Sequence, residues 1–172
     1  MEKLIRNRRA ATDSWQWLKA DAAGEQPAVP ADGDVIVPLA LWKARRDALR
    51  VRSGRTAVWL DVKESPQEIA DDLASLPLVA VHFPVFSDGR GMSTARLLRE
   101  RYGYRGEIRA VGDVARDQLL YMERCGVDTF ALRPSEDLES ALQAFGELPR
   151  TYQANALERQ PYFRRRLEET TR

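Results

Sequence analysis

Leu78-Val79-Ala80-Val81-His82-Phe83 leads into the loop Pro84 to Gly91, then into Met92 to Tyr102 with Gly103 as a stop, then into Glu107-Ile108-Arg109-Ala110-Val111. Two β-rich apolar runs flank a stretch of helical length. Glycine closes that stretch where a helix C-terminus favours the left-handed region. A strand that reaches a parallel neighbour through a helix is a βαβ unit. Residues 79 to 134 therefore read as consecutive strand–helix units.

The same alternation extends in both directions. Upstream, Val35 to Leu39 precedes a helix over Leu41 to Val51, and Ala57 to Val62 precedes Ser65-Pro66-Gln67-Glu68. There Ser65 suits an N-cap and proline the first helical position, for a helix running to about Leu76. Downstream, a helix over Val114 to Arg124 ends at Cys125-Gly126, a strand covers Thr129 to Leu132, and a last helix covers Glu136 to Phe145. The expectation is an α/β fold of about five consecutive βα units on a parallel sheet. Both an open doubly wound sheet and a partial (β/α) barrel fit, because a full barrel takes about 250 residues. Residues 1–34 read as an N-terminal arm, 35–149 as a single α/β domain and 150–172 as a charged C-terminal tail containing Arg164-Arg165-Arg166. Within the arm, Trp15 and Trp17 share a strand face and suit a short strand laid on the core.

Composition narrows the chemistry. In 172 residues, 27 basic and 26 acidic side chains leave a net charge of +1, so no global field draws the chain to nucleic acid or an anionic membrane. Cys125 is the only cysteine and His82 the only histidine, which excludes an intrachain disulfide and cysteine- or histidine-rich metal sites. No metal is expected, and electrons would need a borrowed flavin or nicotinamide. The N-terminus lacks an apolar signal core, and no run is long enough to span a bilayer. The composition suits a cytoplasmic protein.

In parallel α/β proteins ligands collect at the carboxyl ends of strands, beside helix N-termini. The loop after the Leu78–Phe83 run, Asp88-Gly89-Arg90-Gly91 with Ser93 in the first helical turn, sets an arginine between glycines. Glycine permits close backbone approach, and arginine can hold an oxyanion through two parallel hydrogen bonds. The alternative is a turn with Asp88 or Ser93 capping the helix and Arg90 tied to Asp88. The next run ends at Gly112-Asp113, where Asp113 is a candidate general base, a cation ligand or an N-cap. Arg109 within that run needs a carboxylate partner or a bound anion. His82 beside the glycine loop is either structural or a ligand and proton-transfer group. Gly89-x-Gly91-x-x-Thr94 only partly imitates a dinucleotide fingerprint. Cys125, at a helix C-terminus, is a poor nucleophile. Arg96, Arg99 and Arg101 read as a solvated helix face.

The segments Phe83-Pro84-Val85-Phe86-Ser87-Asp88-Gly89-Arg90-Gly91 through Leu97-Leu98-Arg99, Arg101 to Val114, Arg116-Asp117-Gln118-Leu119 and Arg124 to Asp128 resemble the bacterial family called domain of unknown function 934. The resemblance is most specific in this central third. It implies a role in assimilatory sulfite reduction, because such proteins tend to be encoded beside the reductase, and it supplies no catalytic residues. The expected function is thus an accessory protein that binds a small oxyanion at Asp88, Gly89, Arg90, Gly91, Ser93, Arg109, Gly112 and His82, or docks on a sulfite reductase subunit. The alternatives are a (β/α)-type enzyme or oxidoreductase using Asp113 with a nucleotide or flavin, and a pure interaction module.

Overall fold

Apolar side chains occupy both phases of the central strands, so both faces of the sheet are buried. The computed structural model describes residues 3–20, 24–148 and 151–170. The expected boundary at 149–150, the first two residues of the arm, residues 21–23 within it and the last two of the tail lie outside the described residues. The chain enters the sheet at once with β1 (Leu4–Arg6), β2 (Arg9–Ala11) and β3 (Trp15–Trp17). It continues through β4 (Asp34–Pro38), α1 (Leu39–Arg50), β5 (Thr56–Leu60), β6 (Leu78–Phe83), α2 (Arg90–Glu100), β7 (Glu107–Gly112), α3 (Leu119–Arg124), β8 (Thr129–Ala131), α4 (Leu138–Ala144) and α5 (Tyr162–Thr170).

Among the described residues the sheet has eight strands in the order β2-β1-β8-β7-β6-β5-β4-β3, curled into a half-barrel. The strands from β3 to β8 are parallel neighbours, whereas β1 pairs antiparallel with both β8 and β2. The expected five consecutive parallel βα units, with an arm outside the sheet, are therefore corrected to a mixed sheet. Three of its strands come from the stretch read as an arm. The doubly wound form also fails, for a topological reason. From β3 to β8 the strand order never reverses, so right-handed crossovers carry every connecting helix to the same face, and no switch point exists.

The helix-bearing face holds the main core, in which Val35, Val58, Val79, Val81, Ile108 and Phe130 meet Trp42, Leu98, Met122 and Phe145. The opposite face has its own cluster of Trp15, Ile36, Ala57, Leu78, Ala80 and Val111, with Trp17, Trp59 and Ala131 at its margin. No helix residue belongs to it. Two helices are shorter than the sequence suggests. The Ser65 cap forms with Glu68 as a full capping box, but the helix it starts is a 3-10 segment ending at Asp72. There the Asp72 carboxylate turns inward to accept from Trp42 Nε1 at 2.8 Å and from Arg50 at 2.6 Å. The segment after Val114 divides into a 3-10 turn at Arg116–Gln118 and α3.

Candidate functional site

Alternation along the strands sets which side chains line the helix-free face. Trp59 lies opposite Ala80, and His82 opposite Val111. Small residues at Ala57 and Ala80 leave room there for large rings. Trp17, Trp59 and His82 consequently meet edge to face in a triangle, with centroid distances of 6.0, 5.6 and 5.5 Å, a geometry that suits the ring quadrupoles. Trp59 Nε1 donates to the carbonyl of Leu18 at 2.9 Å, which fixes the end of β3.

Between this triangle and the carboxyl ends of β7 and β8 opens a cleft of about 700 Å³. Its walls include Trp17, Ile36, Pro84, Val111, Gly112, Ala131 and Leu132, and its charged lining is Lys3, Lys19, Arg109 and Arg133 against Asp13 and Asp113. Three of the cations are engaged. Lys3 Nζ donates to the carbonyls of Pro134 and Glu136. Arg133 bonds Asp113 at 3.1 Å and Glu136 at 2.7 Å. Arg109, only 1% exposed, sends Nη1 to both oxygens of Asp13 at 2.8 Å and Nε to Glu107 at 2.8 Å. Its Nη2 also sits 2.8 Å from Glu107, off the line of a hydrogen bond. Burying that charge without partners would cost several kcal/mol, so the carboxylates are what permit arginine within a central strand. Lys19 is exposed, lies 3.6 Å over the Trp17 ring and has no carboxylate partner among the described residues.

The residues expected at one site fall into separate groups. Arg90 is exposed, and its guanidinium is clamped to Asp88 through Nε at 2.9 Å and Nη2 at 2.6 Å. Asp88 also accepts from the Arg90 backbone N–H, so α2 already carries its own anion at its N-terminus. This pairing holds the Asp88 carboxyl well below its usual range, at about 2. A Cβ on Gly91 would lie 2.7 Å from the Phe83 ring, so packing alone accounts for that glycine. Gly89 has open space around it, and Ser93 faces outward beside Arg96 and Glu100.

Asp113 is no helix cap, since the 3-10 turn starts at Ala115 without a side-chain cap. It accepts instead from Phe86 N–H at 2.8 Å, while Gln118 Nε2 donates to the Phe86 carbonyl at 2.7 Å. The loop after β6 is thus pinned from both sides and displays half-exposed Val85 and Phe86. Gly112, Arg109 and Asp113 do come together along the cleft, while His82 packs beside Gly112 outside its lining. Gly112 has φ +102°, and a Cβ there would lie 2.4 Å from the Phe83 carbonyl oxygen and 2.8 Å from His82 Cδ2.

Lys3, Asp13, Lys19 and Arg133 at this cleft carried no sequence signal, because their meeting depends on β1 and β3 joining the sheet. The Trp15–Trp17 spacing was the one available hint. At the other end of the strands, Arg99 is not a solvated helix residue. It donates to the carbonyls of Gly126, Tyr104 and Gly106 at 2.7–2.9 Å and to Asp128 at 2.6 Å. Burial pushes its pKa down and that of Asp128 up. Cys125 is buried, which raises its thiol pKa.

Among the described residues, no group of three or more His, Cys, Asp or Glu could hold a metal ion, and no helix is long and apolar enough to cross a membrane. None of the curated proteins matches the chain. One family model does match, over residues 57–163, and with more than half of its length so covered the chain belongs to the bacterial proteins of unknown function grouped as domain of unknown function 934.

Proposed function

We propose that the chain is a cytoplasmic accessory protein of assimilatory sulfite reduction that holds a small oxyanion in the cleft on the helix-free face. The observation that carries this reading is Lys19, an exposed ammonium at a cleft whose other cations, Lys3, Arg109 and Arg133, are already engaged. An added anion there meets a charge that no carboxylate among the described residues neutralises, beside an indole that excludes water from one side. Arg109 and Arg133, each already held by two carboxylates, leave Lys19 as the cation of the lining that an anion would meet. The family resemblance supplies the sulfur setting, and sulfite, sulfate and phosphate all have a size the cleft accommodates. The Asp88–Arg90 loop, whose charges satisfy each other, serves in this reading to shape the rim. Docking on a reductase subunit is supported by half-exposed Phe163 on α5, next to Arg164 and Arg165.

Thermal-shift titration tests the proposal, because a ligand bound only by the folded state raises Tm, by the equivalent of about 2.7 kcal/mol at a hundred times Kd. Sulfite or sulfate should raise Tm where chloride at equal ionic strength does not. Lys19→Ala should abolish the shift and Arg90→Ala should preserve it. A shift lost in Arg90→Ala and retained in Lys19→Ala would return the site to the glycine loop.

A further inference from the structure

A bare oxyanion would use little of the cleft on the helix-free face. Sulfite and sulfate are small and take the room of about three waters, on the order of 90 Å³. The cleft holds about 700 Å³, within the range of roughly 300–1,000 Å³ typical of sites for organic ligands. With only the small anion in place, most of that space would be water held against apolar groups, and those groups would contribute nothing to binding.

The apolar groups form two walls. On one side Trp17 of β3 lies beside Ile36 of β4. On the other stand Val111 of β7, Ala131 of β8 and the following Leu132. Three strands separate β8 from β4 in the sheet, so it is the curl that brings the two sets to one cleft. The charges are mostly spent on the protein itself. Arg109 and Arg133 are each held by two carboxylates, and Lys3 donates to the carbonyls of Pro134 and Glu136. Lys19, over the Trp17 ring, is the cation of this lining with no carboxylate or carbonyl partner among the described residues. Room for one anionic group therefore adjoins room for an uncharged body.

We propose that the ligand of this cleft is an organic anion, a single oxyanion head on an apolar body, which rests on Lys19 marking the anion site. The head meets the Lys19 ammonium, and the body lies between the Trp17–Ile36 wall and the Val111–Ala131 wall. Affinity then has two sources. The head supplies the charge contact, and each methylene of the body taken out of water adds up to about fourfold. A second anionic group on the body would meet arginines whose carboxylates already answer them, so one head and an uncharged remainder is the pattern the lining selects.

Titration calorimetry with sulfite, methanesulfonate and 1-butanesulfonate tests this, because the head stays the same while the body grows. Butanesulfonate should bind at least about tenfold tighter than methanesulfonate, with a more negative heat-capacity change, and should displace sulfite. Lys19→Ala should weaken all three. Val111→Thr keeps the side-chain shape and puts a hydroxyl on the wall, so it should lower the affinity for butanesulfonate several-fold and leave methanesulfonate as it was. Ala131→Leu, which narrows the cleft from the same wall, should do likewise. Equal affinities for the three anions, all lost in Lys19→Ala, would overturn the apolar body and leave the anion site standing. A gain with chain length that survives both Lys19→Ala and Val111→Thr would put the body elsewhere on the protein and overturn the inference too. Absence of binding by any of the three would overturn the inference and the anion site together.

Discussion

The two faces of the sheet are built from the same strands, one residue out of phase, yet they are finished differently. The helix-bearing face is closed by branched aliphatics and phenylalanines, Phe130 packing on Phe145 at 5.4 Å. The helix-free face is closed at its floor by Ala57, Ala80 and Val111, and at its rim by Trp17, Trp59, His82 and a buried arginine. Rings with polar edges and paired charges suit a surface that must be dry beneath and wet above. One face thus carries most of the stability, while the other retains groups whose value depends on what approaches them.

That division can be broken most sharply on the helix side. Phe130→Ala should cost about 3–5 kcal/mol, the range for truncating a fully buried aromatic, read as a lower urea midpoint at constant slope. On the cleft side the largest cost should be electrostatic. Asp13→Ala leaves the 1%-exposed Arg109 with Glu107 alone and should cost about 2–3 kcal/mol. If it were neutral, Arg109 would have water access that its burial denies. Gly112→Ala should follow at about 1–2 kcal/mol, since alanine at φ +102° is strained and its Cβ meets the Phe83 carbonyl. The same change should also displace His82, visible in its imidazole resonances. A Gly112→Ala protein with native stability and an unmoved His82 spectrum would mean the cleft wall yields freely.

The helix side was legible in the sequence to a degree the cleft side was not. The runs beginning at Val35, Ala57, Leu78, Glu107 and Thr129 follow local periodicity, and the Ser65-Pro66-Gln67-Glu68 box is a local cap. What escaped is long-range or locally disguised. The β1–β2 hairpin pairs Arg6 with Arg9 across a two-residue turn in which Asn7 and Arg8 both have positive φ, at 49° and 62°. Asparagine there is a usual signal, but arginine in place of glycine hides it. Leu4 meets Ala131 only through chain closure over the whole domain, a pairing no local pattern encodes. Lys3 and Asp13 arrive at the cleft with those strands, so they were invisible for the same reason. Arg109 was legible in part, since an arginine inside a strand demanded a partner, but the choice of Asp13 over a ligand could not be read without the fold.

The smallest effect concerns the loop outside both faces. The Arg90 guanidinium and backbone N–H hold the Asp88 carboxyl at about 2. A carboxyl depressed on folding stabilises the protein above its unfolded pKa, and that contribution is lost as pH falls through the folded value. The window therefore runs downward from the ordinary carboxylate range toward pH 2. The Arg90 guanidinium is exposed and the pair is screened by solvent, so global stability near neutrality should change little on Arg90→Ala. The midpoint itself is the sensitive quantity. Arg90→Ala should move the Asp88 carboxyl resonance upward toward the ordinary range, while sulfite binding at pH 7 stays as in the native chain. An unmoved midpoint would leave the backbone N–H at the start of α2 as its main support, and that helix end, not the guanidinium, would then set the charge of this loop.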